Sequence, residues 1–235
     1  MNLRTTKNRN KGFTLVELSI VIVLIGLIVA GVVGAQSLIK QAKLRSITSD
    51  MSNLKTAMNS FKLQYNAYPG DISNIQSYYP TIQNGNGNRV MNGNTHEHQG
   101  FWEVLQVEGL YTKYIEGPNP EFQYTNQVTP YGKGALYRTI SGTIYQGRPS
   151  WYMQLGDVSQ FNRLRQVVET REAISMEEKH DDGLADSGWI KAGKNFDTLP
   201  MNGCVMGNQV YWNLTSATYN RADQTEKCLM FFNIE

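Results

Sequence analysis

The sequence predicts an α+β chain in which one long N-terminal helix, membrane-spanning in its first half, packs on a C-terminal antiparallel-sheet head. Three observations carry that prediction. No charged residue occurs from Leu18 to Ile39. Apolar residues then recur in steps of three and four from Leu44 to Tyr65. In the second half, Tyr, Val and Ile mix with Gly and Pro in short strand-like runs.

The first element is a leader and a span. Residues 1–12 hold four bases (Arg4, Lys7, Arg9, Lys11) and no acid. At about 1.5 Å per residue, Leu18–Ile39 covers roughly 33 Å as a helix, matching a bilayer core of about 30 Å. The preceding bases predict a cytoplasmic N-terminus and a body outside, by the positive-inside rule. A secretory signal has a shorter apolar run followed by a small-residue cleavage site. Here the small residue, Gly12, precedes the run.

An acid, Glu17, lies near the start of this apolar segment. In lipid a carboxylate costs a few kcal/mol even with help from the helix dipole. Snorkelling to the headgroups is the bland explanation. A cut after Gly12 offers a sharper one. It creates an ammonium on Phe13, and that amine can meet the Glu17 of another subunit in a helical assembly. On that reading Glu17 is kept for assembly rather than for the stability of its own fold.

The stretch "KGFTLVEL" followed by an apolar helix resembles the prepilin signature of type IV pilins and type II secretion pseudopilins. The resemblance implies cleavage between Gly12 and Phe13 by a membrane prepilin peptidase, N-methylation of Phe13, and use of Glu17 in filament assembly. It implies other pilin or pseudopilin subunits, the prepilin peptidase, an inner-membrane assembly platform and the inner membrane as partners. The expected location is a single-pass bacterial inner-membrane protein with a periplasmic head, later part of a periplasmic or cell-surface filament. Many pilins have a proline midway along this segment. Here Gly26, Gly31 and Gly34 interrupt it instead, either to loosen the helix or to let helices pack closely.

Leu44, Ile47, Met51, Leu54, Met58, Phe61 and Tyr65 predict an apolar stripe on a helix continuing past the span. Lys40, Lys43, Arg45, Asp50, Lys55 and Lys62 fall off it. "YPGD" at 68–71 stops the helix. The expected divisions are a leader at 1–12, a transmembrane half-helix at 13–39, an amphipathic half at 40–65 and a globular head at 66–235.

Within the head, residues 81–94 read as a turn-rich loop. His98–Leu110 reads as a short helix burying Phe101, Trp102 and Leu105, with Gly109 near its end. Residues 121–155 predict short strands and long connections. Asp157 is placed as the N-cap of a helix burying Phe161, Leu164 and Val168 and exposing Arg165 and Glu169. That helix ends before "HDDG" at 180–183. Trp189–Phe196, Cys204–Met206, Gln209–Trp212 and Cys228–Ile234 read as strands of one antiparallel sheet. "YPGDISN", "GNGN", "FWEVLQVEGL", "HDDGLADSGWI" and "CLMFF" each weakly resemble one branch of the pilin-like proteins.

The chemistry is sparse. The 22 bases include four in the leader, leaving 18 against 20 acids in the rest; a nearly neutral body argues against a nucleic-acid partner. The many Gly, Tyr and Asn residues point to a loop-rich exported domain. In such a compartment Cys204 and Cys228 form a disulfide, adding about 3 kcal/mol; in a reducing one they are two buried thiols. His96, Glu97 and His98 have the wrong spacing for a helical zinc pair and read as a solvated loop. Asn84, Asn86 and Asn88 alternate like calcium-loop ligands, but Thr95 stands where the bidentate acid belongs, so a turn is expected. Asp181, Asp182 and Asp186 form the most acidic cluster, explained by a capped helix end and a Gly183 turn, with calcium as the lesser alternative. No catalytic set, no resident metal and no cofactor is predicted. The expected function is a structural filament subunit, a pseudopilin or minor pilin. Its rivals are a DNA-uptake or adhesive minor pilin whose head binds a ligand, and a membrane-anchored periplasmic enzyme.

Overall fold

The computed structural model describes residues 12–90, 95–112, 127–128, 135–145, 148–158, 164–193, 203–206, 209–210, 213–214, 217–222 and 227–235. The chain divides into two compact units, Met1–Ala42 and Lys43–Glu235. Helix α1 (Leu15–Tyr65) runs unbroken through 51 residues and is followed by α2 (Thr95–Val107). Then come β1 (Gln127–Val128), β2 (Ala135–Tyr145), β3 (Arg148–Val158), β4 (Leu164–Arg165), β5 (Val168–Glu169) and α3 (Thr170–His180). The chain closes with β6 (Ile190–Gly193), β7 (Val205–Met206), β8 (Gln209–Val210), β9 (Asn213–Leu214), β10 (Thr218–Tyr219) and β11 (Lys227–Asn233).

In the first unit every described residue is exposed. A Cβ added to Gly26, Gly31 or Gly34 meets nothing within 4 Å. Nothing inside this unit requires glycine at those positions.

In the second unit the stripe on α1 is the spine of the core. Ile47, Met51, Leu54, Met58 and Phe61 are buried, and Leu44 and Tyr65 pack partly against them. Each fully buried side chain of this size contributes roughly 1.5–3 kcal/mol over exposure. The helix stops at Asn66, which takes a left-handed φ of 50° while its N–H still bonds the Lys62 carbonyl at 2.9 Å. Asparagine tolerates that conformation as a C-terminal cap. Asp50 departs from its expected place off the stripe, because it is buried near Tyr137.

The main sheet is antiparallel throughout. β2 and β3 form a long hairpin, with β1 on β2 and β4 on β3. β11 lies between β3 on one side and β6 and β5 on the other. That central position explains "CLMFF": Cys228 through Phe232 are all buried, as a strand covered on both faces must be. Met230 and Phe232 pair with Leu155 and Met153 and join the core that contains Phe61 and Trp151.

Several expectations are corrected. The short strands expected over 121–155 are two eleven-residue strands, β2 and β3. The helix expected from Asp157 begins at Thr170 instead. Asp157 belongs to β3, Leu164 and Arg165 form β4, and Val168 pairs with Cys228 in the sheet. Phe161 lies outside the described residues. The true start of α3 carries a capping box, in which Glu169 and Glu172 reciprocally accept each other's backbone N–H groups. Cys204–Met206 and Gln209–Trp212 are not in the main sheet. β7 pairs with β10 and β8 with β9, in two separate ribbons. The strand expected over Trp189–Phe196 is described only as β6, with 194–196 outside the described residues.

Candidate functional site

Gly12 and Phe13 are exposed immediately before α1, with Phe13 at 89 %. Thr14 is the residue before the first helical turn, and Glu17 is three positions further on. The Glu17 carboxylate accepts the Thr14 backbone N–H at 2.8 Å and its hydroxyl at 2.9 Å, while the Glu17 N–H donates to Thr14 Oγ1 at 3.2 Å. This is a capping box, and it satisfies donors that a helix start leaves without partners. The sequence reading missed it, although "TLVE" is the signature. Glu17 therefore does stabilise its own helix, contrary to the expectation of a purely intermolecular role. Its charge adds something a neutral capping residue lacks.

By length and composition α1 has a window apolar enough to cross a membrane, and none of that window is buried. The side chains from Leu15 to Ile39 offer a continuous exposed apolar surface. In water such a surface is costly; in lipid or among other helices it is not.

In the head, Cys204 and Cys228 are disulfide-bonded, with 5.3 Å between their α-carbons. The bond ties the start of the β7–β10 ribbon to the central strand β11. Glu97 and His98 are buried in α2 while His96 is exposed. The solvated loop expected there is thus the first turns of a helix, and Glu97 Oε1 accepts the Asn86 N–H at 3.3 Å. Asn84, Asn86 and Asn88 are turn residues. Asn86 and Asn88 each accept the N–H two positions on, and the Asn84 carbonyl oxygen accepts the Gln76 N–H.

The three loop acids are separated by the structure. Asp186 accepts the Ala217 N–H at 3.1 Å, whereas Asp181 and Asp182 gather with Glu177 of α3. The sequence reading missed Glu177 because it placed the helix too early. With α3 starting at Thr170, Glu177 and Asp181 are four residues apart and share one face. Burial, with Asp181 next, pushes the Glu177 carboxyl up to about 9. Burial likewise lowers the ammonium of Lys191 below its usual range.

Residues 7–33 match the family model described as the prokaryotic N-terminal methylation motif, the signature of type IV pilins and pseudopilins. No curated protein and no solved structure matched the chain. The motif and the α+β fold, with its long apolar N-terminal helix, support a pilin-type or pseudopilin subunit. The motif implies processing by prepilin peptidase and assembly with other pilin subunits, and the apolar helix fits inner-membrane anchoring.

Proposed function

We propose that this chain is a non-enzymatic structural subunit, a pseudopilin or minor pilin, of a type II secretion pseudopilus or type IV pilus. Prepilin peptidase cuts between Gly12 and Phe13, and Phe13 is N-methylated. The subunit waits in the inner membrane with its N-terminus cytoplasmic and its head periplasmic. It is then extracted by an inner-membrane assembly platform and packs among other subunits through residues 13–65. The observation that carries the reading is the methylation motif over 7–33 joined to an exposed, charge-free helical segment. The buried disulfide accords with a head in an oxidising compartment.

Glu17 has two roles in this proposal. In the free subunit it caps its own helix. In the filament it neutralises the Phe13 ammonium of an adjoining subunit. An unpaired charge in an apolar setting is costly, and an ion pair recovers much of that cost when its geometry is good. Two substitutions separate the roles. Glu17→Gln keeps a side chain that serves in a capping box but removes the charge; Glu17→Leu removes both. Each variant is expressed beside wild-type partner subunits, and the membrane-bound and sheared-filament fractions are compared. Both variants should insert into the membrane and both should be depleted from filaments. Wild-type incorporation of Glu17→Gln would reduce Glu17 to a capping residue and refute the assembly role.

A further inference from the structure

Helix α3 ends at an acidic bend. Glu177, Asp181 and Asp182 each bring a carboxylate oxygen within 4.8 Å of the others. The bend acids alone do not imply a ligand, because the loop uses them. Asp181 accepts the Ile190 N–H at 2.7 Å, and Asp182 accepts the Leu184 N–H and the Ser187 hydroxyl. Glu177 is different. It is fully buried, and its Oε1 accepts the Tyr219 hydroxyl at 3.1 Å. Its Oε2 has no hydrogen-bond partner among the described residues. Protonation does not resolve this, because a neutral carboxyl leaves either a donor or an acceptor unmatched at the same oxygen.

The charge balance points the same way. Glu177, Asp181, Asp182 and Asp186 all act electrostatically on Lys191, so four carboxylates face that one ammonium. The nearby Arg221 guanidinium is paired with Glu178 at 3.0 Å. Negative charge is in excess at the point where a buried oxygen lacks a partner.

We propose that this bend is a divalent-cation site, binding Ca²⁺ through Glu177 Oε2 and one oxygen each from Asp181 and Asp182. Asp182 is exposed, so solvent completes the shell from its side. Calcium suits the spread of the ligands. Oxygens at about 2.4 Å from one ion lie up to roughly 4.8 Å apart, while around Mg²⁺ the limit is about 4.2 Å. A bound ion joins the end of α3 to the bend before β6. Through Tyr219 it also reaches the ribbon that the disulfide attaches to β11. The site uses no residue of the methylation motif and is independent of the assembly proposal.

The test uses the full chain in detergent, stripped with a chelator and titrated with Ca²⁺, Mg²⁺ and Tb³⁺. Trp189 lies beside the bend, its indole N–H on the His180 carbonyl at 2.8 Å, and serves to sensitise Tb³⁺ emission. The expected result is one Ca²⁺ per chain by elemental analysis. Tb³⁺ emission should be displaced by Ca²⁺ more readily than by Mg²⁺, and Ca²⁺ should raise the melting temperature. Glu177→Gln is nearly isosteric and retains an acceptor for Tyr219. It should weaken Ca²⁺ binding by about tenfold or more, because ligand charge sets affinity. Asp182→Asn, at an exposed position, should weaken it as well without threatening the fold. A wild-type chain that retains no ion and shows no Ca²⁺-dependent stabilisation overturns the proposal, as does a Glu177→Gln chain that titrates like the wild type.

Discussion

Gly85 lies against the backbone of Gly70, so closely that a Cβ on Gly85 would sit 2.4 Å from the Gly70 carbonyl oxygen. The contact joins the loop "GNGN" to the turn "YPGD". A Cβ on Gly70 would in turn meet the Glu97 carbonyl oxygen at 2.2 Å, in the first turns of α2. Three short motifs far apart in sequence thus share one packed corner. Gly85→Ala should destabilise the head by about 1–3 kcal/mol, since the obstructing atoms are backbone and cannot swing away. Urea unfolding of the variant against wild type measures this. An unchanged midpoint would mean that the corner yields.

Asp71 completes that corner. Its buried carboxylate accepts the N–H groups of Asn88 and Arg89 at 3.2 and 2.7 Å, and its own carbonyl accepts Gly87. Asp71→Ala leaves two backbone donors without their acceptor and should cost roughly 2–4 kcal/mol; Asp71→Asn should cost less. Equilibrium unfolding of both variants tests the order as well as the size. Equal losses would contradict the hydrogen-bond account.

The disulfide closes a loop of 24 residues between Cys204 and Cys228. Free-thiol labelling of the native protein without reductant should give no signal. Replacing both cysteines with serine should lower stability by about 3 kcal/mol on the loop-entropy estimate. Strong labelling of both cysteines in protein from cells would contradict the exported topology.

A cluster at the end of α1 predicts a response to alkali. Lys62 Nζ donates to the Tyr68 hydroxyl at 2.8 Å, and Tyr68 in turn donates to the Glu235 carboxylate. The Tyr68 bond holds the Lys62 ammonium above its ordinary 10.5. Burial, followed by Glu235, holds the Tyr68 hydroxyl above 10.0. Both groups bind their protons more tightly when folded. Their contribution is therefore complete below about pH 10 and is lost as pH rises through the folded values. The urea midpoint should fall between pH 9 and 11, and by less in Lys62→Met. Identical pH profiles for the two chains would remove Lys62 from the account.

What the sequence revealed depended on how local each signal was. The stripe from Ile47 to Phe61 was legible because one helix writes its core contacts at a fixed spacing. The α2 assignment held for the same reason, and Gly109, at φ 67°, closes that helix with the Leu110 N–H reaching back to the Leu105 carbonyl. The spacing of Phe161, Leu164 and Val168 imitated a helix. Pairing of Val168 with Cys228, sixty residues away in sequence, decides that stretch, and periodicity cannot see it. The cost was the position of α3, and with it Glu177. The Thr14–Glu17 capping box was the reverse case, a local signal present in four letters and passed over in favour of an intermolecular one.

The central claim is that this chain matures as a prepilin, and the mass of the mature protein tests it most directly. Chain extracted from membranes of cells with an active prepilin peptidase should have lost residues 1–12 and should begin at Phe13 with one added methyl group. The same chain from cells lacking the peptidase should keep its leader. A mature protein that still begins at Met1 in the presence of the active peptidase, or that is cut on the far side of the apolar run, would contradict the account.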